Sequence, residues 1–196
     1  MMAGFRKRII RDTDGVTIVE FAFAMPVLAV ILMALFDLGF QVYARSIIQG
    51  SIQEAGRNST IEGTTPASLD AKVLTNVRRV IPGAQITFSR KNYANFEEVG
   101  IAEDFTDTNA DGNCNNGEAY QDINGNSTWD RDRGSTGAGG ARDAVLYSAT
   151  TSFDRVFPFH RFVGLPQQIT ITGATVLRNQ PYGDQAARTP VVRNCT

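Results

Sequence analysis

The run VTIVEFAFAMPVLAVILMALF, residues 16–36, constrains this chain more than any other stretch. Phe21 to Phe36 carries no charge, and Leu, Ile, Val, Phe and Ala dominate it. With Val16–Val19 in front and Leu38–Ala44 beyond Asp37, it is long enough as a helix to cross the roughly 30 Å of bilayer hydrocarbon. Pro26 is its one breaker, which a membrane helix tolerates better than a soluble one. A chain of 196 residues has room for that anchor and one further domain. The first eleven residues hold Arg6, Lys7, Arg8 and Arg11 and no acid. By the positive-inside rule this sets the N-terminus in the cytoplasm and everything after about residue 45 outside.

Glu20 is the anomaly. An acid inside such a helix costs on the order of 2–3 kcal/mol and marks function. A cleaved secretory signal fits the basic start, and Val42-Tyr43-Ala44 offers a weak cleavage site, yet the apolar run is too long and Asp37 interrupts it. A plain signal anchor fits the length and leaves Glu20 without a role. A third reading starts from Gly15, four residues, then Glu20-Phe21. This pattern resembles the processing site of the type IV prepilin superfamily, in its Tad (Flp, type IVc) branch. The stretch VTIVEFAFAMPVLAVILMALFDLGFQVYARSIIQGSIQEAGRNST resembles the opening of TadE-type minor pilins and pseudopilins. Glu20, Phe21 and Pro26 stand where that family's pattern places them, and ATVLRNQPYG, residues 174–183, resembles its closing strand.

The resemblance implies that a prepilin peptidase cuts after Gly15. Val16 then becomes the N-terminus and Glu20 the fifth mature residue. The new ammonium at Val16 is a charge partner for the Glu20 carboxylate, in the same or a neighbouring subunit, and such a pair is strong where the dielectric is low. Processing and assembly thus fall to Gly15, Val16 and Glu20. The implied partners are the peptidase, other pilins or pseudopilins and the inner-membrane pilus assembly platform. The implied place is the bacterial inner membrane, single-pass, with the head periplasmic or extracellular.

Beyond Asp37, apolar residues recur at helical spacing (Phe40, Tyr43, Ile47, Ile48, Ile52, Ala55), predicting one continuous helix to about Asn58. TPASLDAKVLTNVRRVIPG reads as a second amphipathic helix, capped by Thr65 or Ser68, with a stripe of Leu69, Val73, Val77 and Ile81 and a stop at Pro82-Gly83. AQITFSRKNYA, RDAVLYSATTSFD and QQITITGATVLRNQ read as strands, and RVFPFHRFVG as a loop or lid with four aromatic rings, three phenylalanines and His160. Helices packed on a small antiparallel sheet make an α+β, pilin-like head. The expected organisation is a leader over 1–15, a membrane-spanning and amphipathic helix over 16–58, and a head over 59–196 with an acidic insertion at about 102–142.

That insertion concentrates charge. Ten of the 20 acids lie between Glu97 and Arg133, against only Arg131 and Arg133. Residues 107–118, DTNADGNCNNGE, match the calcium-loop pattern D-x-[DN]-x-[DN]-G-x5-E at every fixed place. Asp107, Asn109, Asp111, the Asn113 carbonyl and Glu118 would supply the oxygens that calcium prefers, with Gly112 at the sharp turn. A second alternation offers Asp122, Asn124, Asn126, Asp130 and Asp132. There Ser127 replaces the loop glycine and Arg133 the closing acid, so it reads as a degenerate loop or as extra ligands. The competing reading is a solvated acidic loop without metal. So many like charges repel unless neutralised, which favours structural calcium.

Cys114 and Cys195 permit one disulfide, tying the tail to the insertion. A single His160 without a nucleophile motif, and no phosphate loop or H-E-x-x-H, argue against an enzyme. A net charge of -1 gives no argument for nucleic acid. The leading expectation is a TadE-like minor pilin; its rival is an unprocessed, signal-anchored calcium-binding adhesion or interaction domain.

Overall fold

Helix α1, Val16–Asn58, is uninterrupted through Pro26. The computed structural model describes residues 15–59, 64–179 and 183–196. The basic leader over 1–14, the middle of the 59–65 loop and Gln180–Tyr182 of the closing stretch lie outside the described residues.

Two compact units emerge. One comprises the described part of Met1–Tyr43 with Asp154–Gln168; the other comprises Ala44–Phe153 with Ile169–Thr196. In the first, α1 is apolar on all sides and its side chains stand largely exposed, including Phe21, Phe23, Val27, Ile31 and Phe36. An apolar surface all round a helix suits lipid or a protein interior, not water. The Asp154–Gln168 segment is a loop closed at its base by Arg155 N–H to Gln167 O (2.9 Å) and Arg155 Nε to Pro166 O (2.9 Å). It contains one short helix, here α3, His160–Val163.

In the second unit the tail of α1 becomes amphipathic. Its buried stripe is Ala44, Ile48, Ser51, Ile52 and Ala55. This corrects the expected stripe at its start: Tyr43 is exposed, and Ala44 takes the inward place. Steps of four from Ile48 reach Ala44 and Ile52, a further step of three reaches Ala55, and Tyr43 sits a full 100° from Ala44 around the helix.

Helix α2, Pro66–Val80, begins where Thr65 Oγ1 accepts from Ser68 N–H (3.3 Å) while Ser68 Oγ accepts from Thr65 N–H (3.2 Å). That reciprocal pair satisfies two amides with no intrahelical partner, and Pro66 needs none. Leu69, Val73 and Val77 are buried as the spacing predicts.

The main sheet has the order β3-β1-β4-β5: β1 Gln85–Tyr93, β3 Ser135–Thr136, β4 Ala144–Asp154 and β5 Gln168–Arg178. β1 pairs antiparallel with β4 along its whole length, from Gln85↔Ser152 to Tyr93↔Ala144. Cross-strand hydroxyl pairs Thr150–Thr172 and Ser152–Thr170, each 3.2 Å, set β5 antiparallel to β4. β4 buries every second residue from Val145 to Phe153 in the period that one covered face requires. A second, two-stranded sheet pairs β2, Ala119–Asp122, with β6, Val191–Asn194.

Helix and sheet meet closely at Gly173 of β5, where a Cβ would lie 2.6 Å from Ile52 Cδ1 and 3.1 Å from Ile48 Cγ2. Asp70 of α2 joins the layers from the polar side. It takes both Arg90 nitrogens (3.1 and 2.5 Å) and the Tyr147 hydroxyl (2.7 Å), while Arg90 lies over the Tyr147 ring at 4.5 Å.

The glycine-rich segment GSTGAGGA, residues 134–141, contributes β3. Lys91↔Thr136 and Asn92↔Ser135 pair there, and Asn92 Nδ2 donates to Ser135 O and Gly137 O (2.9 and 3.1 Å). Glycine serves a packing purpose here. A Cβ at Gly134 would meet the buried Tyr93 ring at 2.6 Å, and that ring is held by its hydroxyl bond to Asp132 (2.9 Å). A rigid, tethered ring cannot yield, so Gly134→Ala should cost about 1–3 kcal/mol. Gly50→Ala, in α1 with nothing within 4 Å of the added atom, should stabilise by about 0.5–1 kcal/mol. Thermal unfolding followed by circular dichroism should move the two variants in opposite directions.

Candidate functional site: anchor helix and acidic loops

At the start of the anchor, Gly15 is a turn residue, the helix begins at Val16, and Glu20 is exposed one turn in. No side chain within 4 Å would meet a Cβ on Gly15. Its carbonyl accepts from Val19 N–H at 3.2 Å. Val16 to Phe36 at about 1.5 Å per residue spans about 30 Å, the thickness of bilayer hydrocarbon. This is the one helix among the described residues long and apolar enough to cross a membrane, with mean hydropathy 2.5 in its apolar stretch.

The second charge of the run, Asp37, sits at the end of that span and is only 1% exposed. Arg155 Nη1 meets its Oδ2 at 2.5 Å, and Gln41 Nε2 donates to the same oxygen at 2.6 Å. A buried pair of this kind is costly to break: losing one partner strands a charge, at about 3–5 kcal/mol. The Phe36 and Phe157 rings lie 6.0 Å apart beside it. Sequence reading treated Asp37 as an interruption and missed Arg155, because no local spacing links residues 118 positions apart.

The acidic insertion is built from two loops that share one hydrogen-bonding plan. In the first, the Asp107 carboxylate accepts from Gly112 N–H (2.9 Å), Asn109 Oδ1 from Asp111 N–H (3.0 Å) and Asp111 Oδ1 from Asn113 N–H (2.8 Å). In the second, Asp122 accepts from Ser127 N–H (3.0 Å), Asn124 Oδ1 from Asn126 N–H (3.0 Å) and Asn126 Oδ1 from Thr128 N–H (2.8 Å). Backbone conformation matches too. Gly112 and Ser127 have φ of 74° and 68°, and the residues two earlier, Ala110 and Gly125, have 59° and 76°. Ser127 therefore adopts the left-handed turn for which sequence reading required glycine.

The closing acids correspond as well. Glu118 takes the amides of Thr108 and Asn115 (2.7 and 3.2 Å). In the second loop the same two amide positions, Ile123 and Asp130, donate to Glu103 (2.8 and 3.1 Å). Glu103 is 1% exposed and precedes both loops in the chain. It was missed because the pattern searched only downstream, where Arg133 stands. Trp129 Nε1 donates to the Glu103 carbonyl (2.9 Å), and its ring packs edge-on against Phe105.

The candidate ligands separate into two groups. Asp107, Asn109, Asp111, Asn113 and Glu118 share the first loop, and none of its acids pairs with a Lys or Arg among the described residues. Asp122, Asn124, Asn126 and Asp130 share the second, where Arg193 Nε already meets Asp122 Oδ2 at 2.7 Å. Asp132 is elsewhere: it takes Lys91 Nζ (2.8 Å) and the Tyr93 hydroxyl on the β1 side. Among the described residues no group of three or more His, Cys, Asp or Glu side chains is arranged to hold a metal ion. A cation would need side-chain amide and backbone oxygens as well, because Asp107 and Glu118 each already accept two backbone amides.

Cys114 and Cys195 are joined in a disulfide with Cα atoms 5.6 Å apart. Gly117 N–H to Cys195 O (3.0 Å) and Cys195 N–H to Glu118 O (2.8 Å) continue that junction. His160 is buried, with Nδ1 3.2 Å from Phe157 O, as befits a packing residue.

Comparison with known families bears on residues 15–57 of this arrangement. The family model for TadE-like protein matches residues 15–57. Over that stretch the chain is similar to the TadE-like family. The TadE-like match begins at Gly15, one residue before α1, and ends one residue before α1 does. It is consistent with a Tad pilus component and with a family that is generally not enzymatic. No curated protein and no solved structure matches the chain.

Asp111, Glu118 and Asp122 are depressed below the ordinary carboxylate value. Asp111 is lowered chiefly by the Asn115 side-chain bond and the Asn113 amide, and Glu118 by the amides of Asn115 and Thr108. For Asp122, burial pushes upward, but Arg193 and the amides of Ser127 and Gly125 together outweigh it. A carboxylate depressed in the folded state adds stability that is complete above its unfolded value near 4 and is lost as pH falls further. The melting temperature should therefore hold between about pH 7 and 5 and fall below about pH 4. A flat profile down to pH 3 would contradict these bonds.

Proposed function

We propose that this chain is a minor pilin or pseudopilin of a Tad-type pilus, matured by a prepilin peptidase that cuts after Gly15. The observation that carries the reading is the TadE-like match opening at Gly15, directly before an apolar helix with Glu20 exposed one turn in. Cleavage there leaves Val16 as an ammonium four positions before that carboxylate. In hydrocarbon the two charges neutralise one another, or Glu20 takes the ammonium of a neighbouring subunit and fixes the register of assembly. Before assembly the chain sits in the inner membrane as a single-pass protein, its N-terminus cytoplasmic and its head outside. Its partners are the peptidase, other pilins and the inner-membrane assembly platform.

Mass spectrometry of the protein from its native membrane should give an N-terminus at Val16, and Gly15→Leu should retain the leader. An intact leader on the unaltered protein would favour the second reading, an unprocessed anchored adhesion domain. The built pair of acidic loops favours that alternative.

Under either reading calcium is proposed as a structural ion of the first loop, held by Asp107, Asn109, Asp111, the Asn113 carbonyl and Glu118. The support is a loop of three acids with no basic partner among the described residues. Glu103 would close the second loop, where Arg193 already offsets Asp122. A calcium-saturated sample should melt several degrees above one stripped with chelator, and Glu118→Gln should abolish most of the difference. Coincident melting curves would remove calcium from the reading.

A further inference from the structure

We infer that the loop from Arg155 to Leu165 is a second membrane contact, seated in the headgroup–acyl boundary of the leaflet where the anchor helix leaves the hydrocarbon. The inference rests on the reading of α1 as a membrane anchor.

Its first support is depth. The loop and the first part of α1 belong to one compact unit. Two contacts fix the loop's level on the helix axis: Arg155 to Asp37, and Phe157 to Phe36. Both fall at residues 36–37, about 30 Å along the helix from Val16, where the apolar span reaches the edge of the hydrocarbon. A loop pinned there meets the boundary layer, whatever the head beyond it does.

The second support is the side-chain distribution. Helix α3 turns His160 inward, and Phe159 is buried beside it. Its outer surface carries Phe162 (71% exposed), Val163 (53%) and, just beyond, Leu165 (45%). Water penalises such a surface at roughly 25 cal/mol per Å², and lipid removes the penalty. Arg161 is exposed among them, and a guanidinium suits lipid phosphate. Aromatic, aliphatic and basic side chains together at one level are the composition of a membrane interface. Arg155 is not available for phosphate, being held by Asp37 and the Pro166 carbonyl.

The test uses the full chain in nanodiscs of mixed phosphatidylcholine and phosphatidylglycerol, with nitroxide labels at Phe162→Cys, Leu165→Cys and Ile31→Cys made singly. Cys114 and Cys195 are disulfide-bonded and do not take label. Labels at 162 and 165 should be several-fold more accessible to oxygen than to a water-soluble nickel chelate, and shallower than the label at 31. Preference of the 162 and 165 labels for the nickel chelate, with 31 deep in lipid, would place the loop in water and overturn the inference while leaving the anchor intact. Shielding of 162 and 165 from both reagents would mean that protein, such as a second copy, covers the loop, and would also overturn it. A label at 31 in water would sink the anchor reading and the inference with it.

Discussion

An apolar helix whose side chains stand largely exposed carries one enclosed charge, Asp37, and the contacts of that charge fix where a distant loop joins it. Alone, its carboxylate would be intolerable in that position. Bound by Arg155 and Gln41, it is an enclosed polar contact between the helix and a loop 118 residues away. The pair is worth little as net stability against an apolar replacement, yet it is expensive to break from one side. Specificity is what such a pair supplies: Phe36 and Phe157 can slide, whereas a guanidinium and a carboxylate cannot without stranding charge.

Past that point the same helix changes role without a break. Its buried stripe from Ala44 to Ala55 belongs to a head whose layers are held by complementary means. The absent side chain of Gly173 admits Ile48 and Ile52, and Asp70 ties α2 to β1 and β4 through Arg90 and Tyr147. Close approach and a satisfied polar tie both demand one relative position of helix and sheet.

Sequence periodicity revealed what depends on near neighbours. The extent of α1, the Thr65 cap and stripe of α2, and strands β1, β4 and β5 follow from patterns repeating within a few residues. What stayed hidden depends on distant partners. β6 has four exposed residues and no apolar alternation, so only its pairing with β2 makes it a strand. Ser135–Thr136 look like linker because their partner, β1, supplies the order. Of the candidate site, the order of ligands along each acidic loop was legible. The replacement of a downstream closing acid by Glu103 was not, since backbone geometry, rather than spacing, puts it there.

The Cys114–Cys195 bond closes a ring across 81 positions of the chain, at a junction next to Glu118 and the β2–β6 pair. Closing so long a ring restricts the unfolded chain by about 4–5 kcal/mol in the chain-entropy account. A reducing cytoplasm does not sustain such a bond. The clasp joining tail to insertion is therefore conditional on redox: where thiols stay reduced, that junction rests on the β2–β6 pairing and the Gly117–Cys195 and Cys195–Glu118 backbone bonds alone.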